Sequence, residues 1–268
     1  MNLTVLIACM HQCDHSILTR MNVQTDAVVI NQTDFERIDK FSFLNKNGRS
    51  CNVLFINTIE RGLSKSRNLA LKYAGDTDIC LICDDDEILT ENYENVILSE
   101  FQRNPGKSII AFRFLIGDNP DHRIKRFYEE QRSIGYWSSH NISSVQIAFR
   151  YADIMSENIR FDETLGAGVT CAGGEENIFM HTCLKHGMKI LYSPKLIATV
   201  SFAQSSWAGN MYSKKYFEDF AYARGKEVYG KTFAAIFSVY YAFKKYKWYK
   251  GDFSVLSCII SMWKGIYR

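Results

Sequence analysis

The sequence predicts an α/β fold, a central mostly parallel sheet flanked by helices, with a helical extension behind it. Three observations carry this reading. Short apolar runs alternate with helix-length segments up to about residue 205, one of those runs ends in Asp84, Asp85 and Asp86, and residues 206–268 are aromatic, basic and helical in pattern. The chain is accordingly read as a sheet domain, 1–205, and an extension, 206–268.

Residues 3–9 form the first strand-like run and 27–30 the second, with a polar segment of helix-compatible length between them. Residues 52–56 and 79–83 supply the third and fourth, and 64–74 between them reads as a helix, with partial packing from Leu63, Leu69, Leu71 and Tyr73. Strand, helix, strand, helix is the order of parallel pairing, and ligands of such sheets sit outside the carboxyl ends of the strands. Thr90 can cap the next helix, which places Tyr93, Val96, Ile97 and Phe101 on one face and stops at Arg103-Asn104-Pro105-Gly106. Residues 108–116 and 145–149 read as further strands, the second antiparallel, and the polar stretch 117–140 reads as a long loop over the site. Gly173-Gly174 opens a helix over 175–185, His186-Gly187 closes it, and 188–192 returns as strand.

Bulk numbers narrow the class. A chain of 268 residues with 47% hydrophobic and 23% charged content buries a sizeable core as an ordinary globular protein. The net charge of +3 and the lack of any recognised RNA or DNA module argue against nucleic acid as a partner. Eight cysteines without a regular framework read as reduced thiols of a cytoplasmic protein. Cys80 and Cys83 fall three apart in a strand, on opposite faces, which argues against a shared zinc. Residues 1–10 lack the basic start and small-residue cleavage site of a signal peptide, and no apolar run reaches the ~18 residues of a spanning helix.

Chemistry concentrates in three places. Asp84, Asp85 and Asp86 follow a packed strand, where neighbouring carboxylates repel by roughly 1 kcal/mol per pair at ~4 Å in water and more near a low-dielectric strand end. A hard divalent cation, Mn2+ or Mg2+, relieves that repulsion with oxygen ligands; a solvated acidic turn is the alternative. In Arg61-Gly62-Leu63-Ser64-Lys65-Ser66-Arg67-Asn68, Ser64 as a cap puts Lys65 and Arg67 in a first helical turn, where only an anion such as a diphosphate offsets the unfavourable dipole. Gly62 would let that ligand approach the backbone; a basic surface helix is the alternative. Glu175 and Glu176 begin a helix behind two glycines, a position that either serves the dipole or lets a general base reach a hydroxyl on a flexible hinge.

In this order, the first strand, the Arg61 to Asn68 segment, Asp84-Asp85-Asp86, and Gly174-Glu175-Glu176-Asn177 with Gly187 and Ser193-Pro194 behind it, the chain resembles the family-2 glycosyltransferases of GT-A fold over roughly residues 1–205. The resemblance implies an inverting, metal-dependent transferase that takes a nucleotide sugar, a UDP-sugar above others. Asp84 and Asp86 match the family's DxD, the first acid touching the ribose or base and the last binding the metal that bridges the donor diphosphate, with Asp85 between them. Arg67 matches an arginine near the diphosphate, and Asn68 a structural partner beside it; Lys65 joins the diphosphate contacts from the helix-start reading above. Gln32 or Asp34, with Ala8 and Met10 on the neighbouring strand end, falls where the family holds the nucleotide base. Glu176 aligns with the acid, most often Asp, that deprotonates the acceptor, and Glu175 with its companion. Two departures stand out: the family's Glu-Asp pair is here Glu-Glu, and Ser201-Phe202-Ala203-Gln204 stands where several members carry a metal-binding His. The family's habit further implies a glycan or lipid-linked acceptor and a place in surface polysaccharide biosynthesis. Two other readings are a sugar-phosphate nucleotidylyltransferase, against which residues 9–14 lack a glycine-rich loop, and a non-catalytic sugar-nucleotide or glycan-binding module.

Beyond Trp207 the only acids are Glu218, Asp219, Glu227 and Asp252, among many lysines and aromatics. Such a segment either lies on the anionic inner face of a membrane, as a peripheral attachment, or packs over the sheet domain with a solvated lysine face.

Overall fold

The computed structural model describes residues 1–117, 127–171, 173–201 and 212–268. The expected boundary at 205/206, residues 202–204 of the His-replacing segment, and residues 118–126 of the expected loop lie outside the described residues.

Four strands form the parallel heart of the sheet: β1 (Leu3–Met10), β2 (Asp26–Gln32), β4 (Ser50–Thr58) and β5 (Ile79–Asp84). The order is β4-β2-β1-β5, and β1 is buried at seven of its eight positions because neighbours flank it on both edges. The sheet continues through β9 (Ile147–Arg150) to β7 (Ile109–Gly117) and β10 (Ile190–Ser201), which run parallel to each other, while β9 lies antiparallel to both β5 and β7. Short antiparallel pieces finish it: β3 (Arg37–Leu44) on β4, and β6 (Glu87–Leu89) and β8 (Arg132–Ile134) on β10. The mostly parallel sheet is as the sequence predicts. The expected loop over 117–140 differs, since it contains β8 and the helical turn α4 (Tyr136–Ser139).

Side-chain alternation splits the core into two faces. Val5, Ile7, Val29 and Leu81 point to the side covered by α1 (Ile17–Arg20) and α3 (Tyr93–Arg103), the latter through Tyr93, Ile97 and Phe101. Leu6, Ile30 and Ile82 point to the side covered by α2 (Leu63–Tyr73) and α6 (Glu175–Lys185), through Ala70, Leu71, Phe179, Met180 and Cys183. Cys80 and Cys83 go to opposite faces, as the strand offset requires, and all eight cysteines are free. A short helix, α5 (Tyr151–Ser156), follows β9.

The C-terminal helices α7 (Lys214–Lys226), α8 (Gly230–Tyr249) and α9 (Val255–Tyr267) share their own core around Phe217, Ala221, Ala234, Tyr249, Cys258 and Met262. On α9, Leu256, Ile260, Trp263 and Tyr267 are exposed at helical spacing, and Ile236, Tyr240 and Phe243 are exposed on α8. Trp263 donates its indole N–H to the Ala235 carbonyl at 3.3 Å, and Lys231 lies over the Tyr267 ring, so the two stripes adjoin. No helix among the described residues is long and apolar enough to cross a membrane.

Candidate functional site

The carboxyl ends of the central strands bring most of the sequence-selected residues to one edge. Met10 lies beside Gln32 across β1 and β2, and Ala8 beside Asp84 across β1 and β5. Asp84 ends β5, Asp85 and Asp86 form the turn, and β6 leads away from it. The packed strand delivers the acids to the position that the alternation of strands and helices predicted.

Arg67 is the organising residue. Its guanidinium is 2% exposed and donates to Glu175 Oε1 at 2.9 Å on one side and to Asp84 Oδ1 and Oδ2 at 2.9 and 3.2 Å on the other. Phe161 lies against it, with the ring centroid 5.5 Å from Cζ. The resemblance implied an arginine near a diphosphate; in this structure two carboxylates take the fork of Arg67, because burial makes an unpaired guanidinium prohibitively costly. Asp84 is committed as well, with Ser144 Oγ donating to Oδ2 at 3.4 Å, so a metal role for Asp84 competes with its ion pair.

The remaining acids crowd one another. Burial first, then the charges of Asp84 and Asp85, push the Asp86 carboxyl up to about 6; burial and Asp84 raise Asp85. Glu87, which the sequence reading passed over, is buried and accepts the Asp84 amide at 2.6 Å, and burial with the Asp84 charge raises its carboxyl far above the usual range. Carboxylate oxygens at a strand end suit a hard divalent cation, with Asp86 and Asp85 as the groups that could hold it, although the group of donors that stands close enough together to share one ion among the described residues is His140, His181 and Glu227.

The helix α2 does not present the expected phosphate cradle. Gly62, not Ser64, is its N-cap; Leu63 N–H donates to the Ala167 carbonyl at 2.9 Å and Ser64 Oγ to that of Leu165 at 2.6 Å. Gly62 sits at φ +124°, and a Cβ there would come within 2.8 Å of Val169 Cγ1. The glycine makes room for the chain's own 165–169 segment instead of a ligand. Lys65 is half-buried and forms no ion pair among the described residues. Gln32 accepts the Gly62 amide at 3.0 Å, and the exposed Asp34 pairs with Arg61 at 2.6 Å, so the two candidate base-holding residues anchor the loop between β4 and α2.

At the start of α6 the two glutamates part. Glu175 is buried on Arg67, whereas Glu176 is half-buried and lines a cavity of about 740 Å³ between the sheet domain and α7. Gly174 has φ +87°, and a Cβ on it would come within 2.6 Å of Ala223 Cβ, so the glycine pair is a packed turn against α7 and not the flexible hinge expected. The cavity also contains a cluster that the sequence reading missed. Arg224 Nη1 lies 2.7 Å from His140 Nε2 and 2.9 Å from Glu227 Oε2. Burial, with the Arg224 charge behind it, lowers His140 to about 3, while burial pushes Glu227 up to about 7 against the pull of Arg224. The neutral His140 therefore accepts from the guanidinium. His140, His181 and Glu227 stand within 4.8 Å of one another, close enough for a metal, but the guanidinium already supplies the cation between two of them. Only Arg224 and Glu227, one helical turn apart, carried a sequence signal; His140 lies 84 residues from Arg224.

A second groove, of about 480 Å³ and lined by Thr4, Asp26 and Asn52, lies at the amino ends of the strands. Sheets of this kind do not place their chemistry there.

Comparison with known proteins agrees with this fold. The family model "Glycosyl transferase family 2" matches residues 39–156, which bears out the resemblance read from the motifs. No curated protein matches the chain. Among solved structures, S. aureus TarS 1-349 in complex with UDP-GlcNAc aligns over 98% of this chain and 78% of that one, with a TM-score of 0.62 at 12% identity. S. aureus TarS 1-349 in complex with UDP aligns over 95% and 76%, with a TM-score of 0.57 at 11% identity. The longer S. aureus TarS structure aligns over 92% of this chain and 44% of that one, with a TM-score of 0.58 at 12% identity. At such identities the likeness is one of fold, the GT-A arrangement.

Proposed function

Because the chain carries a family-2 glycosyltransferase domain within a GT-A fold, we propose that it moves a sugar from a nucleoside diphosphate, UDP above others, to a hydroxyl of a glycan or lipid-linked acceptor, with inversion at the anomeric carbon. The observation that carries this reading is the Glu175–Arg67–Asp84 bridge. It ties the acids at the end of β5 to the start of α6, and so fixes Glu176 relative to the place where a donor would lie.

Asp84, Asp85, Ala8, Met10, Gln32 and Asp34 border the nucleotide, Gln32 and Asp34 by shaping the loop through Gly62 and Arg61. Asp86, with Asp85, would hold a divalent ion, which when bound supplies charge neutralisation for the leaving diphosphate. Lys65 supplies a further positive charge on that side. Glu176 accepts the proton of the acceptor hydroxyl as the oxygen attacks the anomeric carbon from the face opposite the leaving group. Glu175 is the companion that orients α6.

Work in surface polysaccharide assembly on the cytoplasmic side belongs to the same proposal, as does peripheral attachment of residues 206–268 to an anionic membrane surface. The exposed stripes of α8 and α9 and the lysines among them, with Asp252 the one acid beyond Glu227, support that attachment.

The test is a thermal-shift panel of nucleotide sugars with and without manganese, followed by assay of nucleoside diphosphate release. Stabilisation by one nucleotide sugar, increased by manganese, is the expected result; a flat response to every nucleotide would end the reading.

A further inference from the structure

Three metal-ligating side chains meet where α7 packs on the sheet domain, away from the acids that end β5. His140 caps the end of α4, His181 lies on α6 and Glu227 caps the end of α7, and one ligand atom from each lies within 4.8 Å of the other two. Their hydrogen bonds fix which nitrogens are free. Arg224, which can only donate, gives Nη1 to His140 Nε2 at 2.7 Å, so that nitrogen carries the lone pair. His181 Nε2 lies 3.1 Å from the Tyr136 carbonyl, which can only accept, so the proton is on Nε2 and the lone pair on Nδ1. His181 is 4% exposed, and its Nδ1 is buried with no hydrogen-bond partner among the described residues. An imidazole held by a carbonyl through one nitrogen, with the other bare, is the arrangement that orients histidine toward a metal.

The spacing agrees. His140 Nε2 and Glu227 Oε2 are 3.5 Å apart, and two ligands ~2.1 Å from a zinc ion at the tetrahedral angle stand ~3.4 Å apart. Arg224 Nη1, 2.7 Å from the first atom and 2.9 Å from the second, already places positive charge there. The guanidinium fills the place incompletely, since its Nε is buried without a partner. Arg224 also lines the cavity of about 740 Å³ that His140 and Glu227 border, which gives it room to withdraw.

We propose that His140, His181 and Glu227 form a Zn2+ site, with the Arg224 guanidinium standing in for the ion until it binds. Two imidazoles and a carboxylate select zinc over magnesium and manganese, which prefer all-oxygen sets such as Asp85 and Asp86. On binding, Glu227, whose carboxyl burial holds up at about 7, releases its proton to solvent, and a water from the cavity takes the fourth position. The ion pins the end of α7 to the helix that carries Glu176, and so the extension to the sheet domain. It requires no nucleotide, so this inference and the donor reading stand or fall separately.

Calorimetric titration of zinc chloride into the chelator-stripped full chain tests it, with excess magnesium present to occupy the acids at the end of β5. One zinc per chain is expected, and X-ray absorption of the loaded protein should show two imidazoles and no sulfur. His181→Ala, and His140→Gln in case the more buried change misfolds, should each weaken zinc binding at least about a hundred-fold, beyond the ~10–100-fold that loss of an outer hydrogen-bond partner costs. Arg224→Gln should tighten it at least about five-fold, because no occupant then has to be displaced. A cluster that serves packing alone predicts no such gain. Sulfur ligation would mark adventitious zinc on a thiol such as the exposed Cys13 and would overturn the proposal. Failure of the native chain to bind one zinc would do the same, as would an affinity indifferent to both histidine substitutions.

Discussion

Arg67 Nη1 donates to Glu175 Oε1 at 2.9 Å across 108 residues of sequence, inside a core that leaves both side chains almost wholly buried. The other nitrogen of the same guanidinium holds Asp84. One planar cation therefore sets the distance between the acids that end β5 and the first turn of α6. Lysine, a point charge without the fork, does not reproduce that geometry.

Removing the cation strands two carboxylates. Arg67→Met is expected to destabilise the chain by about 3–5 kcal/mol, as loss of one partner from a buried ion pair does. Arg67→Lys should recover only part of that. Urea unfolding followed by circular dichroism measures both, and near-native stability of Arg67→Met would show that the bridge is not what joins α6 to β5.

The two glutamates of α6 should separate by phenotype. Glu176→Gln is expected to keep nucleotide-sugar binding and fold stability and to lose about 10²–10⁴ in transfer rate, the range for a general base. Glu175→Gln should instead lower stability, because it weakens the buried pair with Arg67. Equal turnover in Glu176→Gln would remove that residue from the role.

How much of this was legible in sequence follows from range. The parallel strands were readable because each is a short apolar run, and the fate of Asp84–Asp86 followed from where such a run must end. β3 escaped because an edge strand with alternating exposure, RIDKFSFL, looks polar when no partner is known. Lys65 and Arg67 both read as phosphate ligands since local pattern cannot show that Arg67 has carboxylate partners 17 and 108 residues away. The same limit hid His140, whose contact with Arg224 exists only once α7 packs beside α6. Glycines were identified as special positions but for the wrong neighbour: Gly62 and Gly174 admit Val169 and Ala223, not a ligand or a hinge motion.

Asp86 carries the metal prediction. Asp86→Asn is expected to abolish the gain in donor affinity on adding manganese while leaving metal-free binding nearly unchanged, since Asp84 stays on Arg67. Isothermal calorimetry with and without manganese reads this directly. Identical manganese enhancement in the variant would move the ion elsewhere.

The Arg224 cluster predicts opposing pH slopes in stability. Glu227 rises from 4.5 to about 7 in the fold, so between those values the folded chain keeps a proton that the unfolded chain releases. Its contribution is present below pH 4.5 and lost as pH climbs to 7. His140 falls from 6.5 to about 3, so its contribution is present above pH 6.5 and lost as pH drops toward 3. Thermal melts across pH 3–8 should show a gentler alkaline decline in Glu227→Gln and a gentler acid decline in His140→Gln. Parallel curves for native chain and both variants would contradict the assignment.

Membrane attachment should depend on α9 more than on net charge alone. Leu256 and Trp263 are 66% and 45% exposed, so replacing them with serine leaves the helical core around Cys258 and Met262 intact. Burying one such side chain in an interface is worth roughly 1.5–3 kcal/mol, which makes a ten-fold or greater loss of vesicle binding the expected effect of either change. Lys244, Lys247 and Lys264 add an electrostatic component that 1 M salt suppresses and an anionic lipid restores. Co-sedimentation with phosphatidylcholine vesicles, with and without phosphatidylglycerol, reads both contributions. Native chain that stays in the supernatant at every lipid composition would leave those stripes without a bilayer to cover them.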